Sequence, residues 1–263
     1  MRTWLAFHRR DTRERRSRLL AGLAEGSGIL LTVVTFYFLG ELVDRGTSGE
    51  VARLNGSYFA FAVNGIAMAG FLAQTVRGHS RALRAAQLEG TLEPMLMTPV
   101  PPWRIAVGGA LHEMTRGLLR LFVYLGFATA LGAVALDGQL AWLPVVLAVA
   151  ALSFLPFGLL AASYTLLLAR GEPVTYLTNA GTLLLAGVYF PSSVLPAWLQ
   201  PVSLLYPVTH AVQALRSVTS GTESPLASLL WLLGFTAVAL PLTAWAFQRC
   251  VLVARRRGTL GMT

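Results

Sequence analysis

The stretch LLAGLAEGSGILLTVVTFYFLGELV occupies residues 19–43. Its 25 residues carry two charges, Glu25 and Glu41. A helix of that length is about 37 Å long, enough to cross the roughly 30 Å hydrocarbon core of a bilayer. This makes the chain a membrane protein and organises what lies on either side. Upstream stands MRTWLAFHRRDTRERRSR, with seven arginines in eighteen residues. Trp4, Leu5 and Phe7 give that segment an apolar side. The pattern predicts a cytoplasmic interfacial helix over residues 1–18, with aromatics at the headgroup level and arginines toward anionic lipid. The other reading is a disordered basic tail. A secretory signal is not expected: the charged region is too long, and the apolar run after it lacks a small-residue cleavage site.

Downstream the apolar runs continue. Of 263 residues 55% are hydrophobic and 13% charged, with mean hydropathy +0.61. A soluble domain carries about 25% charge. The expected fold is all-α: a polytopic membrane protein with six spans at about 19–43, 54–76, 103–136, 140–168, 174–190 and 226–247. These form one domain, 19–253, followed by a basic cytoplasmic tail, 254–263. The third run is longer than a bilayer needs, and its first half holds His112, Glu113, Arg116 and Arg120. That half is expected to project into the cytoplasm. Pro144 and Pro156 are expected to kink the fourth span. Between spans five and six, residues 191–224 are too broken by proline to cross and too apolar for a solvated loop. Short re-entrant helices in the outer leaflet are expected there, anchored by Leu195, Trp198 and Leu199, with Pro191 and Pro196 setting the bends.

Charge fixes the expected orientation. All 21 basic residues are arginine, and the formal net charge is +9. With the N-terminus inside and six spans, eighteen arginines fall on the inner side and three (Arg45, Arg53, Arg216) on the outer. That bias follows the positive-inside rule and places both termini in the cytoplasm. The arginines sit at the ends of apolar runs and form no continuous basic face, so nucleic acid is not the expected partner. The lone Cys250 has no partner for an internal disulfide.

Chemistry-bearing motifs are missing. There is no GxxxxGK[ST], no lysine, no GxSxG and no CxxC. HEMTR at 112–116 lacks the second histidine of a zinc-protease motif, and Glu113 and Arg116 are spaced to pair along a helix. No catalytic residue and no metal site are expected. Gly22 and Gly26 form a GxxxG, read as ordinary helix packing. The polar residues inside spans are Glu25, Asn64, Gln74, Thr178 and Asn179. Glu25 either snorkels, pairs with an arginine or meets substrate; the others either line a pathway or hydrogen-bond between helices.

Two stretches carry a resemblance. AAQLEGTLEPMLMTPVPPWRIAVGGAL, residues 85–111, holds a Gly-Thr-Leu-Glu motif at Gly90, Thr91, Leu92 and Glu93, a Thr-Pro turn at Thr98-Pro99, and a helix led by Trp103. GVYFPSSVLPAWLQPVSLLYPVTHAVQALR, residues 187–216, holds Phe190-Pro191, then Leu195-Pro196-x-Trp198-Leu199, a Pro207 after an aromatic, and a closing Arg216. Together they resemble the permeases of ABC-2-type transporters, in the same order and across essentially the whole chain. Pro94 departs from the polar or helix-friendly residue usual there.

The resemblance implies the membrane-spanning permease of an ATP-driven exporter in the inner (cytoplasmic) membrane. Two ABC ATPase subunits per complex would supply the energy. They, and not this chain, would bind ATP and magnesium. A second copy of the chain, or a paralogous permease, would complete the pore in the lipid bilayer. Residues 80–102 become the ATPase-coupling loop: Glu89 and Glu93 offer charge to a partner, Met95, Leu96 and Met97 form an adaptable apolar knob, and Pro99, Pro101 and Pro102 stiffen its attachment. The implied substrate is hydrophobic or amphipathic: a drug, a lipid or a lipid-linked glycan. The alternative is a membrane scaffold or assembly protein with no ATPase partner.

Overall fold

The computed structural model describes residues 2–46, 57–132, 138–168, 173–221 and 223–257, all helices and short connections, with no strand among them. The helices are α1 (Arg2–Gly46), α2 (Tyr58–Leu88), α3 (Leu92–Leu96), α4 (Pro102–Ala130), α5 (Leu143–Leu168), α6 (Pro173–Leu185), α7 (Gln200–Leu205), α8 (Pro207–Ser220) and α9 (Leu226–Arg257). Single 3-10 turns precede α5 and α7, at Gly138–Trp142 and Ser192–Val194.

α2 is the central helix and touches α1, α4, α5, α6 and α8. It buries Phe59, Val63, Ala67, Phe71 and Leu72. Its partner α4 runs antiparallel: Gly117 faces Phe71 and Gln74, Gly78 faces Glu113, and Gly109 faces Ala82. α1 returns the opposite way beside α2, with Gly40 against Phe59. α5 is apolar all round and is buried on most sides, as a helix between neighbours must be.

Two apolar clusters result. The larger joins α2, α4, α5, α8 and the first half of α9 around Phe71, Phe154, Leu215 and Leu232. The smaller lies at the end where α2, α5 and α9 all terminate, and joins Leu83, Leu92, Ala106, Leu159, Leu166, Phe247 and Val251. Arg81, Arg84, Arg104, Arg255 and Arg256 surround this second cluster on the surface. Arg45 and Arg216 belong to the other end.

Several expected boundaries are corrected. Residues 1–18 do not form a separate helix at the surface: α1 is continuous from Arg2. The sequence from 12 to 21 contains neither glycine nor proline, and nothing there stops helix propagation. α2 continues to Leu88 rather than ending near Val76. RGHSRALRAAQL is a good helix-forming sequence, and Val76, His79, Ser80, Leu83 and Gln87 recur at helical spacing on a buried face. α6 stops at Leu185, five residues short of Phe190, for a reason given below. At 13 residues it is about 20 Å long, less than a bilayer core.

Among the described residues, four helices are long and apolar enough to cross a membrane: Ala24–Arg45, Tyr58–Leu88, Leu140–Leu167 and Leu226–Arg256. α4 has the length, at 29 residues, but its first half carries Arg104, His112, Glu113, Arg116 and Arg120. Residues 54–56 and 133–136 of the expected second and third spans, and 258–263 of the expected tail, lie outside the described residues.

Candidate functional site

The connection from α2 to α4 is built residue by residue from its sequence. At the end of α2 the Glu89 N–H bonds Ala85 O at 2.9 Å, and the chain reverses at Gly90, where φ is +68°. That left-handed turn admits glycine without strain. It lets Thr91 N–H reach Ala86 O at 3.0 Å. Pro94 is the third residue of α3. The N–H it lacks would have had no partner within the helix there, so the proline is tolerated. Thr98 closes the helix, its hydroxyl donating to Met95 O at 2.6 Å. Pro101 and Pro102 then start α4, at its cap and first position, where proline's fixed φ suits a helix.

α3 is two-faced. Leu92 and Leu96, one turn apart, are buried in the smaller cluster with Leu83, Leu159, Leu166 and Phe247. Glu93, Met95 and Met97 point away, and Met97 is 79% exposed. Glu89, Thr98, Pro99 and Val100 are exposed beside them. The expected knob of three apolar residues is therefore corrected: Leu96 is an anchor, and the two methionines alone face outward. A further fastening comes from α9. Arg255 Nη2 donates to Leu96 O at 2.6 Å. The surface is acidic and apolar, on a segment fixed from behind.

The polar residues expected inside spans separate into different roles. Glu25 stands 3.8 Å from both Arg116 and Arg120 of α4. Asn64 donates to Thr219 at 2.9 Å, tying α2 to α8. Gln74 donates to Glu113 at 2.6 Å, tying α2 to α4. Thr178 bonds Val174 O within α6, and its own carbonyl accepts from Tyr206. Asn179 alone of the five lines a cleft of about 250 Å³ between α2, α4 and α6. Arg77, Arg120, Tyr124 and Tyr189 line it too. The sequence reading had used the two arginines only as markers of sidedness.

The segment after α6 is organised around Arg216. α6 ends because the chain turns at Gly187, φ +65°, which exposes carbonyls that need donors. Arg216 Nη2 donates to Gly187 O at 2.8 Å and to Phe61 O at 2.9 Å. Its guanidinium lies 3.4 Å from the centre of the Phe61 ring. One side chain of α8 thus closes the end of α6 onto α2. Pro207 begins α8 at its first position, and Val208, Ala211, Val212, Leu215 and Val218 form its buried stripe. Phe190 and Pro191 are half-buried at the turn. Leu195 is buried, Leu199 half-buried, and Pro196 and Trp198 exposed. Trp198, expected as an anchor, is 75% exposed, because the turn over Pro196–Leu199 directs it outward while Leu195 takes the inner place.

Comparison with known proteins bears on this arrangement. Residues 12–219 match the family model described as ABC-2 type transporter. Two relatives share 23% identity with the chain over 130 residues, 49% of its length. Each is described as "Probable multidrug ABC transporter permease YbhR", one from Escherichia coli strain K12 and one from Escherichia coli O157:H7. The match covers 35% of each relative, so the chain spans about a third of their length.

Proposed function

The chain belongs to the ABC-2 type transporter family, and from that premise we propose that it is the membrane-spanning permease of an ABC exporter driven by ATPase subunits on separate chains. The observation that carries this reading is the α2–α4 connection. An acidic, methionine-bearing surface faces outward while Leu92, Leu96 and the Arg255 contact hold it to the ends of α2, α5 and α9. Such a surface receives force and delivers it to long helices without needing a catalytic group. Glu89 and Glu93 would meet basic groups of the ATPase, and Met95 and Met97 would fill an apolar groove.

In this reading α4 and α6 join the four longer helices as a six-span bundle with both ends of the chain in the cytoplasm. The gathering of arginines around the smaller cluster supports that side as the inner one. Residues 191–224 would cap the outer end within the leaflet. Two copies, or this chain with a paralogous permease, would pair and meet two ATPases, which bind ATP and magnesium. The substrate would be a hydrophobic or amphipathic molecule.

Co-expression with a tagged ABC ATPase from the same genome tests this. A complex stable in neutral detergent, with ATP-dependent movement of an amphipathic dye in proteoliposomes, is expected. If the chain is stable yet retains no such ATPase and moves nothing with ATP, it is a membrane scaffold instead.

A further inference from the structure

The cleft between α2, α4 and α6 has a graded lining. Along α2 it runs from Ile66 to Arg77, about 16 Å of helix. Toward one end its walls are Ile66, Leu183 and Val188, with the rings of Tyr124 and Tyr189. Toward the other stand Arg77 and Arg120, with Asn179 across from them on α6. α2 and α4 are antiparallel, and Arg77 and Arg120 line the same cleft from these two neighbouring helices.

Arg120 retains unused donor capacity. Its contact with Glu25 is 3.8 Å, an ion pair too long for a hydrogen bond, and its buried Nε has no hydrogen-bond partner among the described residues. Its guanidinium also lies 5.9 Å from the Tyr124 ring centre. Guanidinium groups present paired donors that match the oxygens of phosphate and carboxylate. Between the two ends, α2 offers Ala69, Gly70 and Ala73, which leave room beside the helix. A Cβ added at Gly70 would meet nothing within 4 Å.

We infer that this cleft is a binding site for anionic amphiphiles, with a phosphate or carboxylate head held by Arg77 and Arg120 and an apolar body along Ile66, Leu183 and Val188. The inference refines the substrate class of the proposed permease and rests on that reading for its role in transport. Binding itself depends only on the cleft. A cationic amphiphile is disfavoured because its head would sit against two guanidinium groups. A free anion gains nothing from the apolar wall.

The test measures binding of dodecyl phosphate to the purified chain in a neutral maltoside detergent, with dodecyltrimethylammonium and inorganic phosphate as comparisons. Saturable binding of dodecyl phosphate alone is expected. Arg77→Gln and Arg120→Gln should each weaken it about tenfold or more, since each removes charge-assisted hydrogen bonds. Arg→Lys at either position should recover part of the loss. Gly70→Leu removes the space without removing charge and replaces a poor helix former, so it should fold and yet abolish binding. Equal binding of the alkylammonium or of inorganic phosphate overturns the inference. So does a folded Gly70→Leu protein that binds dodecyl phosphate like the parent. No ATPase enters the measurement, so its outcome is separate from that of the docking experiment above.

Discussion

Arg255, in the last turn of α9, donates a 2.6 Å hydrogen bond to the carbonyl of Leu96 in α3, 159 residues earlier in the chain. The contact ties the connection between α2 and α4 to a helix on the far side of the smaller apolar cluster. Because Arg255 is itself largely exposed, its loss should loosen the connection more than it destabilises the protein. Arg255→Ala is expected to change global stability by under about 1 kcal/mol. Hydrogen exchange of the Leu92–Met97 amides should accelerate. Unchanged exchange in that segment would show the contact to be ornamental.

The two faces of α3 predict opposite phenotypes. Leu92 is 1% exposed, and Leu92→Ala should cost about 2–5 kcal/mol in thermal unfolding, the usual penalty for a truncated buried leucine. Met97→Ala, or the double reversal Glu89→Lys with Glu93→Lys, should cost no more than about 0.5 kcal/mol. If the chain is the proposed permease, these surface variants should reach the membrane and pair normally, yet bind the ATPase weakly. Parent-like docking by the double reversal would move the contact surface elsewhere.

Arg216 should resist conservative replacement. Arg216→Ala leaves the carbonyls of Gly187 and Phe61 without their donor, and a loss of about 2–4 kcal/mol is expected. Arg216→Lys should restore only part of it, because a compact ammonium cannot replace the guanidinium's contact with the Phe61 ring while reaching the same carbonyls. Thermal unfolding in detergent of the three proteins checks this. Full recovery by lysine would mean that charge alone holds the turn.

Gly158 of α5 packs face to face with the ring of His79, which is wholly buried in α2 and bonds Thr75 O at 2.8 Å. A methyl group at 158 would overlap the ring. Gly158→Ala should therefore destabilise by about 1–3 kcal/mol, despite alanine being the better helix former. Combining it with a smaller residue at 79, as in His79→Ala, should relieve much of that loss. Simple additivity of the two changes would refute the contact.

Sidedness has its own measurement. In a Cys250→Ser background, Arg45→Cys should react with a membrane-impermeant maleimide added to intact cells, since the Arg45 side chain is 77% exposed at the end of α1 opposite the smaller cluster. In the parent, Cys250 should stay unlabelled until the membrane is opened. The reverse pattern would invert the proposed topology.

The long helices were legible because hydrophobicity persists over a bilayer's length, a signal that needs no knowledge of neighbours. The course of residues 77–88 was not. The span was expected to end near Val76 and residues 80–102 to form a loop, whereas the helix continues to Leu88 with one side of it covered by α4. Glycine and proline marked the α2–α4 connection correctly as a place of sharp turns. The inward turn of Leu96 was readable from its spacing to Leu92, but the run of methionines around it invited an outward reading. Arg255 with Leu96, and Arg216 with Phe61, join residues over 150 positions apart. No local periodicity encodes such pairs. Arg77 and Arg120 were hidden by their membership in a charge count, where each arginine counts the same whatever it faces.

α2 passes without a proline from Tyr58 to Leu88, about 46 Å. Near its first residues are Phe61, whose carbonyl Arg216 holds, and Asn64, which holds Thr219. At its last begins the turn into α3. The two sets of contacts stand at opposite ends of one helix. If the connection is the coupling site of the proposed permease, α2 makes it a push-rod: a displacement applied at Glu89 would travel to the α8 contacts along one continuous helix with no proline in it.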